Sequence, residues 1–447
     1  MAQMNKGDIL AIGLMMFSIF FGAGNLIFPP ALGQAAGDHT LTAMLGFIVT
    51  GVGLPLAGIT AIAMQGGKYV EFMNRRTYPW LATTLLVILY LAIGPVFAVP
   101  RTGAVSFEIG IRPFLSEQSL AVGQFAYTAV FFLLTAYLAM NPSKLMDRVG
   151  KLLTPALLLF LAILFFQSFT TPLGDILAAT GKYIETPFVQ GFQDGYQTMD
   201  LLASLSIGAI VAQAIRMKGA QDDAAVSRIC LVSGLIAVLL MAIVYGSLAY
   251  LGATSASVLG HSANGGQLLA QAVDIFFGPA GNLLVAVIIA LACLTTSCGM
   301  ITGSSWYFNK VLKNRISYER LVVYCTFFSF VASNIGLTQI IALSLPFLVG
   351  IYPVIIVFVV LSLFDRWIGK RSNVYRFSIG VTLVFAVLAG LETAGVVIPS
   401  VQAFLAAHVP LYAMGMGWLL PALLAALLGY FVPAGAASRA GLSLRER

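Results

Sequence analysis

The chain has 447 residues, of which 59% are hydrophobic and only 9% charged, with a mean hydropathy of +0.94. Soluble domains carry about 25% charged residues, so these figures exclude a soluble globular protein and indicate a polytopic membrane protein without a separate soluble domain. The net charge of +7 comes from basic residues scattered singly and in small groups between apolar runs, which argues against a nucleic-acid partner.

At roughly 20 apolar residues per crossing, twelve spans are predicted. They lie near 8–34, 40–64, 80–105, 122–140, 152–170, 190–215, 229–251, 281–308, 319–336, 338–363, 377–399 and 411–432. The first runs from Lys6 directly into FFGAGNLIFPP at 20–30. No small-residue cleavage site follows a short apolar core, so it reads as a span rather than a removable leader. Gly22, Gly24, Asn25, Pro29 and Pro30 are poor choices for a mere anchor, because Gly and Pro disfavour helix and lipid penalises an unpaired amide. The third span holds GPVFAVPRTGAVSFE at 94–108, interrupted by Gly94, Pro95 and Pro100. The sixth holds LLASLSIGAI at 201–210. The loop at 252–280 contains GGQLLAQAVDIFF, read as a short amphipathic helix on the outer face. The eighth span, with LACLTTSCGMITGSS at 291–305, sets Ala292, Thr295, Thr296, Gly299 and Gly303 along one narrow helical face. Cys230, Cys293, Cys298 and Cys325 lie in apolar runs without metal-ligand spacing and read as free thiols. His39, His261 and His408 fall at the outer ends of spans, where a solvated role is expected.

With the N-terminus in the cytoplasm and strict alternation, 21 of the 24 basic residues fall on the cytoplasmic side, as the positive-inside rule requires. Arg101, Arg112 and Lys182 are the exceptions. Both chain ends are then expected in the cytoplasm.

Spans 1 and 6 are five apart, and an offset of five reverses direction through the membrane. Interruptions in two oppositely directed spans point to an inverted-repeat transporter with its site near the midplane. The expected organisation is a first repeat over 1–172, a second over 187–363, and two peripheral spans over 377–432, with breaks at 22–25 and 203–207. Unwound backbone at membrane depth must face a cavity, a ligand or an ion. A half-helix start suits a carboxylate, while freed carbonyls suit an ammonium or a metal cation, and Asn25 adds a side-chain oxygen. The small face of span 8 has a plainer reading as a helix-packing surface, and its hydroxyls one as partners of their own backbone. The functional reading rests on concurrence in spans 1, 6 and 8.

These segments resemble the bacterial branched-chain amino acid:cation symporters, the LIVCS or BrnQ family. GLMMFSIFFGAGNLIFPPALG and GPVFAVPRTGAVSFE are similar to that family's first and third spans, and the resemblance runs over nearly the whole chain. At greater distance the sequence is similar to the LeuT-type sodium symporters of the amino acid-polyamine-organocation superfamily. Gly22, Gly24, Asn25, Phe28 and Pro29 match their span 1 break. Ser204, Leu205, Ser206, Ile207 and Gly208 match their span 6 break, and Ala292, Leu294, Thr295 and Thr296 match a span 8 motif. The resemblance implies an all-α membrane fold with a 5+5 inverted repeat, and sodium-coupled uptake of Leu, Ile and Val through a bacterial inner membrane. It implies substrate contacts at Ala23, Gly24, Asn25, Ala203, Ser204 and Ser206. It also implies a sodium ion held by the carbonyls of Ser18, Phe21 and Ala292 with the hydroxyls of Thr295 and Thr296. A second sodium would sit at Asn25. Span 3 has no counterpart of the distant group's carboxylate-binding tyrosine; Val96 and Phe97 are its candidate contacts.

A proton-coupled carrier is the alternative, with Asp200, Glu108 and Glu392 as its carboxylates, since ionisable groups at membrane depth are functional by default. Glu108 lies seven residues from Arg101 on one helical face, and a pairing between them near the outer surface is expected. A membrane enzyme is disfavoured by the lack of H-E-x-x-H, of G-x-S-x-G in a suitable setting and of a buried Asp pair. A channel is disfavoured because the broken spans do not recur as a filter loop. The sequence leaves the oligomeric state open.

Overall fold

The computed structural model describes residues 5–140, 144–220, 222–369 and 371–432, with no side chains described for 144–154. The described residues are helical and contain no strand. In chain order the helices are α1 (Lys6–Phe20), α2 (Ala23–Ala36), α3 (Thr40–Ile48), α4 (Leu54–Met64), α5 (Tyr69–Arg76), α6 (Pro79–Leu91), α7 (Ala98–Gly110), α8 (Leu120–Met140) and α9 (Lys144–Thr170). They continue as α10 (Pro187–Asp194), α11 (Asp200–Met217), α12 (Asp223–Leu259), α13 (Gly265–Val311), α14 (Tyr318–Ser333), α15 (Leu337–Leu363), α16 (Ser372–Thr393), α17 (Pro399–His408) and α18 (Leu419–Phe431).

Eight stretches among the described residues are long and apolar enough to cross a membrane. α1, α14 and α18 are shorter, at 15, 16 and 13 residues, so the span count of twelve is not reproduced by helix length alone. Large apolar side chains such as Val122, Leu133 and Phe166 are exposed on the outside of the bundle, as expected where the solvent is lipid.

The first span is broken at Phe21 and Gly22; of the expected stretch 22–25 only Gly22 lies at the break, and Ala23, Gly24 and Asn25 open the next helix. α1 stops at Phe20, Phe21 is extended at φ −74 and ψ 94, and Gly22 caps a new helix at φ −118 and ψ −169. The sixth span is also broken, but not at 203–207. Those residues lie inside the continuous α11. The interruption falls earlier, in a 3-10 turn at Gly195–Thr198 followed by Met199 in the left-handed region at φ 61. The small residues of LLASLSIGAI serve close packing instead: a β-carbon on Gly58 would overlap the Ser204 hydroxyl, and one on Gly208 would lie 2.9 Å from Ile62 Cβ. A third interruption separates α6 from α7, where a π-helical turn at Ala92–Val96 contains Gly94 at φ −98 and ψ −123. The segment from Gly265 is helical as expected and runs on into the eighth span across Gly278, at φ 62.

Glycines bring α2 into backbone contact with its neighbours. A β-carbon at Gly33 would overlap the Ala249 carbonyl of α12, one at Gly252 the Pro30 carbonyl, and one at Gly265 the Ile27 carbonyl. The half-helix after the first break is therefore gripped by α12 and by the N-terminal part of α13. All four cysteines are buried and free.

Candidate functional site between the broken spans

The break after α1 redirects one hydrogen bond. In an unbroken helix the Gly22 N–H would reach back four residues to Ser18. Here it donates to Asn25 Oδ1 at 3.3 Å, and Asn25 N–H returns to the Gly22 carbonyl at 3.2 Å. The Asn25 carbonyl thus caps α2, which turns its amide toward the second break. That amide donates to Asp200 Oδ2 at 2.7 Å and to the Tyr245 hydroxyl, which lies 3.4 Å from the same carboxylate oxygen. Asp200 is the first residue of α11, Tyr245 belongs to α12, and all three groups are buried.

Between the breaks lies a small cavity of about 30 Å³. One wall is apolar: Ile19, Phe20, Ala98, Ala203 and Met300. The other carries Asn25, Arg101, Thr198 and Asp200. Arg101 projects from α7, 2% exposed. Its Nη1 donates to the Gln197 carbonyl at 2.5 Å, Nη2 lies 3.3 Å from Met199 Sδ, and its guanidinium carbon is 5.1 Å from the Phe28 ring centre.

Of the residues singled out from the sequence, Ala23, Gly24, Asn25, Ala203 and Thr296 share the cavity wall. Ser204 does not: it is fully buried against Gly58, with its hydroxyl on the Leu201 carbonyl at 2.6 Å. Ser206 donates to the Ala203 carbonyl at 3.1 Å and is not on the wall. Phe21 is buried at the break, with Ser18 one turn before it on α1. On α13 the hydroxyls of Thr295 and Thr296 both donate to the Ala292 carbonyl, at 2.9 and 3.0 Å. Thr296 faces the break, for a β-carbon on Gly22 would lie 3.4 Å from its methyl and 3.7 Å from its hydroxyl.

Span 3 reaches the cavity through Ala98, Arg101 and Thr102, not through Val96 or Phe97; Phe97 packs on Phe347, ring centres 5.1 Å apart. The expected Glu108–Arg101 pairing does not form. Glu108 accepts from Arg112 Nη1 at 2.6 Å, one helical turn on, and Asn264 Nδ2 lies 3.4 Å away. Glu392 is exposed and accepts from Tyr412 at 3.1 Å. Tyr245 was not marked by the sequence reading; a tyrosine within the apolar run LLMAIVYGSL was its signal.

A family model described as "Branched-chain amino acid transport protein" matches residues 5–435. The chain is 44% identical over 423 residues to the branched-chain amino acid permease BraB of Bacillus subtilis, covering 95% of each chain. It is 42% identical over 433 residues to the branched-chain amino acid transport system 2 carrier protein of Pseudomonas aeruginosa, covering 96% of each. Identity to the Escherichia coli permease BrnQ is 37% over 428 residues, covering 95% of each. Among solved structures the fold is similar to the inward-facing conformation of Mhp1, at a TM-score of 0.56 and 12% identity, covering 94% of this chain and 90% of that one. A closed Mhp1, a nucleobase-cation-symport-1 family transporter, gives 0.54 at 13% identity, covering 94% and 91%. These likenesses establish a LeuT-type fold. The chain belongs to the branched-chain amino acid transport protein family, and it is a multi-pass membrane transporter rather than an enzyme.

Proposed function

We propose that this protein takes up leucine, isoleucine and valine by alternating access and that sodium is the coupled ion. The substrate reading is supported by the family and by the cavity, whose apolar wall of Ile19, Phe20, Ala98, Ala203 and Met300 suits a branched aliphatic side chain. Two halves, 1–172 and 187–363, would rock around this site with 377–432 at the periphery, and the loop carrying Lys68, Arg75 and Arg76 would face the cytoplasm.

The observation that carries the sodium reading is the oxygen cluster on α13. The Ala292 carbonyl and the hydroxyls of Thr295 and Thr296 lie within hydrogen-bond distance of one another's shared acceptor, beside the first break. Hard cations take oxygen ligands, and Ser18 and Phe21 would supply the facing carbonyls. An ion placed there touches both α1 and α13, so it favours the conformation that holds them together. Energetically one cation suffices. Moving a charge across 100 mV is worth about 2.3 kcal/mol and a tenfold gradient adds about 1.4, together several-hundred-fold accumulation of a neutral zwitterion.

Proton coupling is the second reading, favoured by the Asp200 carboxylate on the cavity wall. Uptake of labelled leucine into proteoliposomes, with sodium and pH gradients imposed separately, decides between them. A sodium gradient at equal pH should drive accumulation, and a pH gradient without sodium should not. The opposite result would overturn the sodium assignment.

A further inference from the structure

The cavity contains one buried cation and one buried anion that are not paired with each other. Arg101 is 2% exposed and Asp200 4%. No carboxylate comes within 4.0 Å of the guanidinium among the described residues. Its Nε has no hydrogen-bond partner, and the partners of its two terminal nitrogens are a carbonyl and a thioether sulfur, both neutral. A buried charge without a counter-charge is costly, and that cost is sensible where a ligand completes the pair. The position of Arg101 is also favourable for an anion. A β-carbon on Gly24 would lie 3.4 Å from Arg101 Nη1, so the guanidinium sits against the first turn of α2, where N–H groups and the positive end of the helix dipole are directed outward. On the same lining Asp200 accepts from Asn25 and Tyr245, which fix the carboxylate while an acceptor-only group still has lone pairs to offer.

We infer that Arg101 and Asp200 are the two anchors of the substrate's zwitterion: Arg101, with the first turn of α2, receives the carboxylate, and Asp200 receives the ammonium. The α-carbon is then held between them, and the side chain points to Ile19, Phe20, Ala98, Ala203 and Met300. The assignment deepens the proposed transport of branched-chain amino acids and does not depend on the coupling ion. It gives each end of the ligand a desolvated, oppositely charged partner, so a ligand lacking either charge leaves one protein charge buried and uncompensated.

The test is equilibrium competition against labelled leucine on the full-length protein in lipid nanodiscs, at saturating sodium and fixed pH. Leucinol lacks the carboxylate and 4-methylpentanoate lacks the amine. On the wild type each should compete about 30-fold or more weakly than leucine. In Arg101→Gln, leucine should weaken by about 30-fold or more while leucinol changes little, so the leucine-to-leucinol ratio collapses. In Asp200→Asn the ratio of leucine to 4-methylpentanoate should collapse instead. Arg101→Lys should recover part of the first ratio, since charge is kept and the fork is lost. If Arg101→Gln weakens leucine and leucinol equally, Arg101 only supports the Gln197–Met199 turn and the inference is overturned. The wild-type panel needs no variant to fold: analogues that compete as well as leucine overturn it alone. The substrate reading fails separately, by an amino acid other than leucine, isoleucine or valine outcompeting leucine on the wild type.

Discussion

Thr296→Val isolates the proposed cation ligand with little disturbance of packing. Valine keeps the branch at Cβ, so the methyl that lies 3.4 Å from a β-carbon placed on Gly22 still has its counterpart. What is lost is one hydroxyl, whose only hydrogen bond among the described residues runs back to the Ala292 carbonyl at 3.0 Å. Bonds of that kind contribute little to a helix, and the Ala292 carbonyl keeps Thr295 at 2.9 Å. The protein should therefore fold with an unchanged Tm. Sodium, in contrast, would lose one of about five oxygens. A loss of about 1.4–2.7 kcal/mol corresponds to a 10- to 100-fold rise in half-saturating sodium. Initial rates of labelled leucine uptake into proteoliposomes, measured against sodium at saturating leucine, give that value directly. Thr296→Ser keeps the oxygen and should stay within about threefold of wild type. If the Ser variant shifts as far as the Val variant, the loss cannot be assigned to the oxygen and the coordination argument fails. If the Val variant titrates with sodium as the wild type does, the argument from coordination is wrong.

Isoleucine and valine should compete with leucine within about tenfold, because one methylene in an apolar pocket is worth about 1–3 kcal/mol, whereas lysine and aspartate should be about 100-fold weaker or worse for lack of partners along the apolar wall; inhibition constants from one uptake assay check both. Gly33→Ala should lower the unfolding temperature by about 3 °C or more, since its β-carbon overlaps the Ala249 carbonyl, while Gly246→Ala, with open space around it, should not; equal shifts would show that the close approach is not what holds α2. Asp365 accepts from Arg76 Nη2 and from Tyr375, each at 2.9 Å, and both ion-pair side chains are largely buried at 11% and 6% exposure. Asp365→Ala should therefore cost about 3–5 kcal/mol of stability, read as a lower Tm in detergent, and an unchanged Tm would mean that the pair is replaced by other contacts.

What could be read from the sequence divides along physical lines. The first break was legible because its signal is local: Gly22 supplies the non-helical residue and Asn25 the capping carbonyl, three positions apart. The second break was misplaced because two unrelated causes leave the same trace. Small residues at 203–208 suggested unwinding, yet they let α11 lie against Gly58 and Ile62. The true turn ends on Met199 at φ 61, a conformation uncommon for a side-chain-bearing residue and thus unmarked by residue type. Gly195 carried a usable hint, since a β-carbon there would overlap the Thr50 hydroxyl, but that neighbour comes from a helix about 145 residues away in sequence. Arg101 was read as an outer-surface partner of Glu108 because both lie on one face of a helix. Arg112, four residues from Glu108, was the nearer competitor and takes the pair. A lone arginine in the middle of an apolar stretch, with its local carboxylate already engaged, was the available signal for a site at depth.

The kink in α13 joins two mechanical loads in one helix. Before Gly278, the segment beginning at Gly265 bears on the Ile27 backbone of α2. After it, Ala286 lies 3.2 Å from where a β-carbon on Gly110 of α7 would be. α2 and α7 both line the cavity, so the two arms of one rod bear on two elements of the same site. Gly278 and Pro279 are where that rod is jointed, at φ 62 and without a continuous helical ladder through the bend. A β-carbon at Gly278 would meet no neighbour within 4 Å; what glycine supplies there is rotation, not room.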